Sequence, residues 1–235
     1  TWVSSSGAPP PTVGRVPTLG FGTAVAMWVL AYLAFMGPGL LAGELIFGMM
    51  LIAIGIGGAI AGAIGGVRLA VRAGAMSALV NMLLIGSLFG RETPIVAALG
   101  WVAGLWIVSI AVAAIGGVVG ARHARGRPLP WSVTVHWPGA FAVVALVTVF
   151  LLLITGGLVT GLEAGLAVTD WPNTFGHNML LYPLSEMEGG VYYEHAHRLY
   201  GMLVGLTTLT LTWVTWRSDR RVSSRVLITL ILVMV

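Results

Sequence analysis

Pro138 to Thr160 reads PGAFAVVALVTVFLLLITGGLVT and contains no charged side chain. A helix needs about 20 such residues, each rising about 1.5 Å, to cross the roughly 30 Å hydrocarbon core of a bilayer. The run is therefore read as a transmembrane helix. Working outward from it, five further apolar stretches of similar length lie at about 19–36, 40–66, 73–90, 95–121 and 192–216. A seventh begins near Val222 and meets Val235 after roughly 14 residues, short of a full span. The expected fold is an all-α, polytopic transmembrane bundle of six complete spans and a truncated seventh. The chain also begins at Thr1 without a methionine, so it reads as a fragment.

Composition excludes an ordinary soluble domain. Hydrophobic residues make up 57% of the chain and charged residues only 9%, against about 25% charged in soluble proteins. Cysteine is absent, so a disulfide or thiolate metal site is impossible and any metal chemistry falls to histidine or carboxylate. Lysine is absent too, and the net charge of +4 comes from arginine. In a membrane chain such a balance reports topology, so lipid bilayer rather than nucleic acid is the expected partner.

The arginines sit in alternate connections. Arg68 and Arg72 come after the second stretch, Arg122, Arg125 and Arg127 after the fourth, and Arg217, Arg220, Arg221 and Arg225 after the sixth. The positive-inside rule places these, with the amino terminus and Arg15, in the cytoplasm. The loop over 161–191 is then extracytoplasmic, and it holds Glu163, Asp170, Glu186 and Glu188. The expected localisation is integral to a bacterial cytoplasmic membrane.

Four segments are expected. Residues 1–18, with Pro9, Pro10 and Pro11 in a row, read as a disordered proline-rich leader. Residues 19–121 read as a four-helix membrane module of unknown function. Its glycines, notably Gly55, Gly57, Gly58, Gly62, Gly65 and Gly66 in the second stretch and Gly116, Gly117 and Gly120 in the fourth, let helix backbones approach closely. Glu44 reads as an interfacial residue and Asn81 as an interhelical hydrogen-bonding group. Residues 122–137 form a cytoplasmic basic linker, whose His136, Trp137 and Pro138 suit an interfacial anchor and a helix start. Residues 138–235 begin a second bundle.

Chemistry concentrates in that last segment. From Gly156 to Gly205 it reads GGLVTGLEAGLAVTDWPNTFGHNMLLYPLSEMEGGVYYEHAHRLYGMLVG, a long external loop delivering the chain into a helix, and loops of this length are usually functional. Asp170, Trp171 and Pro172 imply a shaped turn, while Phe175, Met179 and Tyr182 supply apolar surface for a lid over a lipophilic ligand or for an interfacial cap. On the next helix Glu194 and His197 share a face at a spacing of three, and His195 points away from both. Ionisable groups near a membrane mark function, and neutral imidazole is a good ligand for heme iron, which makes His197 the candidate. Arg198 stands at the water boundary with two roles open, a fork for a heme propionate or an ion pair to Glu194. Gly201 and Gly205 come after His197 on one side and leave either a flat strip for a porphyrin or a helix-packing surface. Zinc at His195 and His197 fails because residues two apart on a helix diverge, and His177 in the loop reads as solvated.

Three pieces in order, GGLVT, AGLAVTDWP and EHAHR, resemble the first helix, first external loop and second helix of the heme A synthase family. The resemblance covers about residues 137–235. It implies eight helices in two related four-helix halves, each binding one heme, and an oxidoreductase converting heme O to heme A by oxidising a porphyrin methyl to formyl for cytochrome oxidase assembly. By that resemblance Glu194 is the catalytic glutamate and His197 an axial iron ligand, with Arg198, Gly201 and Gly205 completing the heme-binding surface. Heme O is the implied substrate, and heme b the implied cofactor of the half beyond Val235. Heme O synthase and cytochrome oxidase assembly proteins are the implied partners. The sequence departs from many relatives in lacking a cysteine pair in the external loop, and its four leading spans have no counterpart in the common architecture. A heme-binding electron carrier or assembly factor, which needs the histidine but not the glutamate, is the rival reading.

Overall fold

Each apolar run becomes helix. The computed structural model describes residues 12–35, 43–85, 94–125, 135–170, 173–179, 182 and 186–235. They form α1 (Arg15–Phe35), α2 (Gly43–Ile85), α3 (Ile95–Ala124), α4 (Trp137–Gly161), a small hairpin of β1 (Asn173–Thr174) and β2 (His177–Asn178), α5 (Gly189–Ser218) and α6 (Val222–Met234). Five of these helices are long and apolar enough to cross a membrane. The chain is thus the all-α, membrane-type bundle its composition implies. Much of the proline-rich leader lies outside the described residues, and α1 begins at Arg15.

The second and third runs are joined differently from expectation. In place of a loop carrying Arg68 and Arg72, the chain reverses within α2 at Gly65 (φ −148°, ψ 18°) and Gly66 (φ 76°, ψ −179°). Gly66 occupies backbone space essentially closed to residues with a Cβ. Contacts with α3 reveal the reversal, because Gly58 and Gly74 both lie against Ala113, and Gly62 and Ala70 both lie against Gly117. Two antiparallel arms of about 20 residues, each about 30 Å long, therefore stand side by side on α3. The six-span expectation survives because a two-glycine turn replaces a loop.

Glycine makes the α2–α3 contact possible. A Cβ at Gly62 would strike the Gly117 backbone, one at Gly116 the Gly55 carbonyl, and one at Gly120 the Ala59 carbonyl. In lipid, where apolar surface gains little from burial, backbones approaching this closely supply dispersion contact instead.

The α4–α5 pair is joined by polar groups. Thr148 and Thr207 hydroxyls meet at 3.1 Å, and Thr155 Oγ1 lies 3.2 Å from His197 Nδ1, so the two helices run antiparallel. α1 binds the halves together. Its Phe21 and Trp28 share one buried cluster with Val80 of α2, Phe141 of α4 and Leu199 and Leu203 of α5. Asn81 makes the interhelical bond expected of it, its Oδ1 accepting from Trp28 Nε1 at 3.0 Å. The side chain of Glu44 lies outside the described residues.

These directions set the two ends of the bundle apart. At one end Arg15 stacks 5.3 Å from the Trp137 ring, and His136 caps α4 by accepting from the Gly139 amide at 3.1 Å. At the opposite end Tyr192 of α5 donates to the Tyr32 carbonyl at 2.7 Å, beneath the loop from α4 to α5.

Candidate functional site

The loop beyond α4 is held by three charged side chains. Asp170 accepts from the Phe175 amide at 2.8 Å and the Gly176 amide at 2.7 Å, closing the turn between β1 and β2. The Gly176 amide, then that of Phe175 and the nearby Arg198 guanidinium, hold the Asp170 carboxyl below the usual range against the opposing effect of desolvation.

Arg198 rises from α5 to meet this turn. Its Nη1 donates to the carbonyls of Asp170 at 2.8 Å and Asn173 at 2.9 Å, and its Nη2 to the Val168 carbonyl at 3.0 Å and Glu194 Oε1 at 2.6 Å. Glu194 Oε2 accepts from the Val168 amide at 2.8 Å. Of the two roles open to Arg198 from the sequence, the ion pair is the one present. A guanidinium has five N–H donors, and the four on its terminal nitrogens are engaged, leaving Nε. Glu194 and Arg198 therefore clamp the loop to the helix head, and both carboxylate oxygens have a partner.

His197, one turn on from Glu194, reaches across to α4. A Cβ at Gly156 would approach Cε1 of its ring to 2.9 Å, so the imidazole uses the space that glycine leaves on α4. Thr155 donates its hydroxyl proton to the Leu152 carbonyl at 3.0 Å, which leaves Oγ1 to accept from His197 Nδ1–H. That tautomer leaves the Nε2 lone pair free, which is the form a metal-binding histidine takes when an outer group fixes its ring. Along the same side a Cβ at Gly201 would only touch Leu152, at 4.0 Å, and one at Gly205 meets nothing within 4 Å. The glycine strip below His197 is open rather than packed.

His195 is fully buried on a third side of the helix. Its Nδ1 lies 3.4 Å from Thr174 Oγ1, its ring contacts Tyr182, and its Nε2 lacks a hydrogen-bond partner among the described residues. No group of three or more histidine or acidic residues able to hold a metal ion occurs among the described residues. The side chain of His177, and Trp171 and Pro172 entirely, lie outside the described residues.

Sequence reasoning missed Thr155 and Thr174. Thr155 left a signal, being a hydroxyl beside Gly156 in an otherwise apolar run. Thr174 left none, because nothing in its neighbours foretells that a two-residue strand will meet α5. No known protein family, curated protein or solved structure matches this chain.

Proposed function

We propose that the protein is a heme-binding membrane oxidoreductase of the heme A synthase type, acting on heme O. The observation that carries this reading is the His197 imidazole, fixed by Thr155 and Gly156 with Nε2 free, above the open strip of Gly201 and Gly205. These residues fit a porphyrin: one nitrogen to ligate iron, and a helix surface without side chains for a flat ring. The motifs GGLVT, AGLAVTDWP and EHAHR supply the chemical identity by resemblance.

In this reading His197 Nε2 holds the substrate iron and Gly201 and Gly205 admit the ring. Glu194 accepts protons at its carboxylate as the porphyrin methyl is oxidised to formyl, in the manner of a positioned general base. Bound heme supplies the redox chemistry, and the protein supplies position and field. Arg198 holds the loop that shields this end from water, and a propionate contact would fall to its Nε or require a loop carbonyl to let go. The basic end is cytoplasmic by the positive-inside rule, and the loop over the site is extracytoplasmic.

The clamp favours one other reading. Because Glu194 is engaged by Arg198 and Val168, it serves equally well as a structural brace in a heme-binding electron carrier. Glu194→Gln in the full-length protein separates the two, with bound hemes extracted and identified by mass. An oxidoreductase retains heme O and loses about 99% of heme A or more, roughly the hundredfold lower bound expected of a lost general base. Unchanged heme A, with heme still bound, assigns Glu194 to the brace alone.

A further inference from the structure

Among the described residues, four buried side-chain polar atoms lack a hydrogen-bond partner: Arg15 Nε, Tyr32 Oη, His195 Nε2 and Tyr200 Oη. Buried polar groups in proteins are almost always paired, so each exception asks for a cause. Three of the four belong to residues lining one cavity of about 320 Å³. Such a volume is at the lower end of ligand pockets, which run from about 300 to 1,000 Å³.

We propose that this cavity binds a lipid-soluble quinone-class molecule, a flat ring carrying carbonyl oxygens and an apolar tail. Its walls are aromatic and apolar, with Trp28, Tyr192 and Trp106 beside the three unpaired residues. Trp28 and Tyr200 meet edge to face at 5.6 Å, and Tyr32 stacks on Tyr192 at 5.5 Å, so the lining suits a flat ring. A ring with carbonyls also answers the polar atoms. Both tyrosine hydroxyls donate, and when Thr174 donates to His195 Nδ1 the imidazole carries its proton on Nε2. Two ring oxygens of a quinone accept from these groups, and the hydroxyls of the reduced form donate to the tyrosine oxygens.

The cavity is reachable from lipid. Phe47 and Trp106 line it and remain 47% and 36% exposed, so a tail leaving between them stays in hydrocarbon. α1, both arms of α2, α3 and α5 all contribute walls. The first four spans thereby gain a role, completing a ligand site against the face of α5 that does not carry His197. The proposal does not rest on the heme reading.

The test uses full-length protein in nanodiscs and two probes, decylubiquinone and decylbenzene, which share a decyl tail on a flat six-membered ring, only the first ring carrying oxygens. Quenching of tryptophan fluorescence reports binding of decylubiquinone, and relief of that quenching in competition reports binding of decylbenzene. Decylubiquinone is expected to bind saturably and at least tenfold more tightly than decylbenzene. Tyr32→Phe and Tyr200→Phe are each expected to weaken it about 5- to 10-fold, the loss of one hydrogen bond, without lowering thermal stability, because neither hydroxyl has a protein partner among the described residues to lose. Ala31→Trp, which fills the cavity, is expected to abolish binding. Equal affinity for decylbenzene would make the cavity an acyl-chain slot and overturn the proposal. So would indifference to both hydroxyl deletions, or the absence of saturable binding to a wild-type protein that is folded.

Discussion

Glycine does opposite things in the two halves of this molecule. Between α2 and α3 the glycines are spent on contact, with Gly58, Gly62, Gly116 and Gly120 each placed where a Cβ would strike backbone. On α5, Gly201 and Gly205 face open or nearly open space. Both sets recur at helical spacing in an apolar run, so their sequence signature is the same. What separates them is the partner. The first set meets other small residues across the interface, whereas the second lies below a histidine and opposite long side chains. The α2–α3 pair is held by backbone proximity, and the α4–α5 pair by threonine and histidine bonds.

That contrast can be broken from either side. The largest effect is expected at the clamp that stabilises the loop over α4 and α5. Arg198→Ala strands Glu194 beside loop carbonyls, and loss of one partner from a largely buried pair costs about 3 kcal/mol or more. Proteolysis of the 162–188 loop is expected to accelerate by at least tenfold, and unchanged cleavage would show the loop to be held by other contacts. Gly62→Ala comes next, since overpacking costs about 1–3 kcal/mol, while Gly205→Ala is expected to be neutral in stability. Reversible unfolding in mixed micelles reads both, and equal losses at the two positions would erase the distinction between packed and open glycine.

Thr155→Val should cost about 1 kcal/mol, one hydrogen bond, and free the His197 ring to rotate. Nitrogen chemical shifts of that ring report the tautomer, and an unchanged Nδ1–H signal would show that Thr155 does not set it. The smallest effect is at Asp170. Its folded carboxyl lies below the ordinary value, so its contribution to the β1–β2 turn is fully present above the unfolded pKa. The contribution is lost as pH falls through the depressed folded value. Protection of the Phe175 and Gly176 amides from hydrogen exchange, taken relative to the intrinsic rate at each pH, is expected to fall as the solution is acidified, and Asp170→Asn should remove that pH dependence.

The helices were legible because hydrophobic length is a one-dimensional property, and Pro138 to Thr160 needs no neighbours to be read. The α2 reversal was not, because a two-glycine turn leaves an apolar run almost uninterrupted and the basic residues that suggested a loop are carried on helix. Glu194, His197 and Arg198 were legible as a group through spacing. Their division of labour was not: the two carboxylate oxygens and the four terminal guanidinium donors are committed by where the loop carbonyls of Val168, Asp170 and Asn173 fall in space. His195 read as a bystander by spacing, and only burial in one cavity wall with Tyr32 and Tyr200 gave it a role.

The central claim is that His197 Nε2 is an iron ligand. Purified full-length protein and its His197→Ala variant, compared by reduced-minus-oxidised absorption and by pyridine hemochrome, test it most directly. The account predicts that the variant stays folded, loses the spectrum of the heme bound at this end of the bundle, and recovers part of it when imidazole is added. A variant with the wild-type heme content and unchanged absorption bands would contradict it.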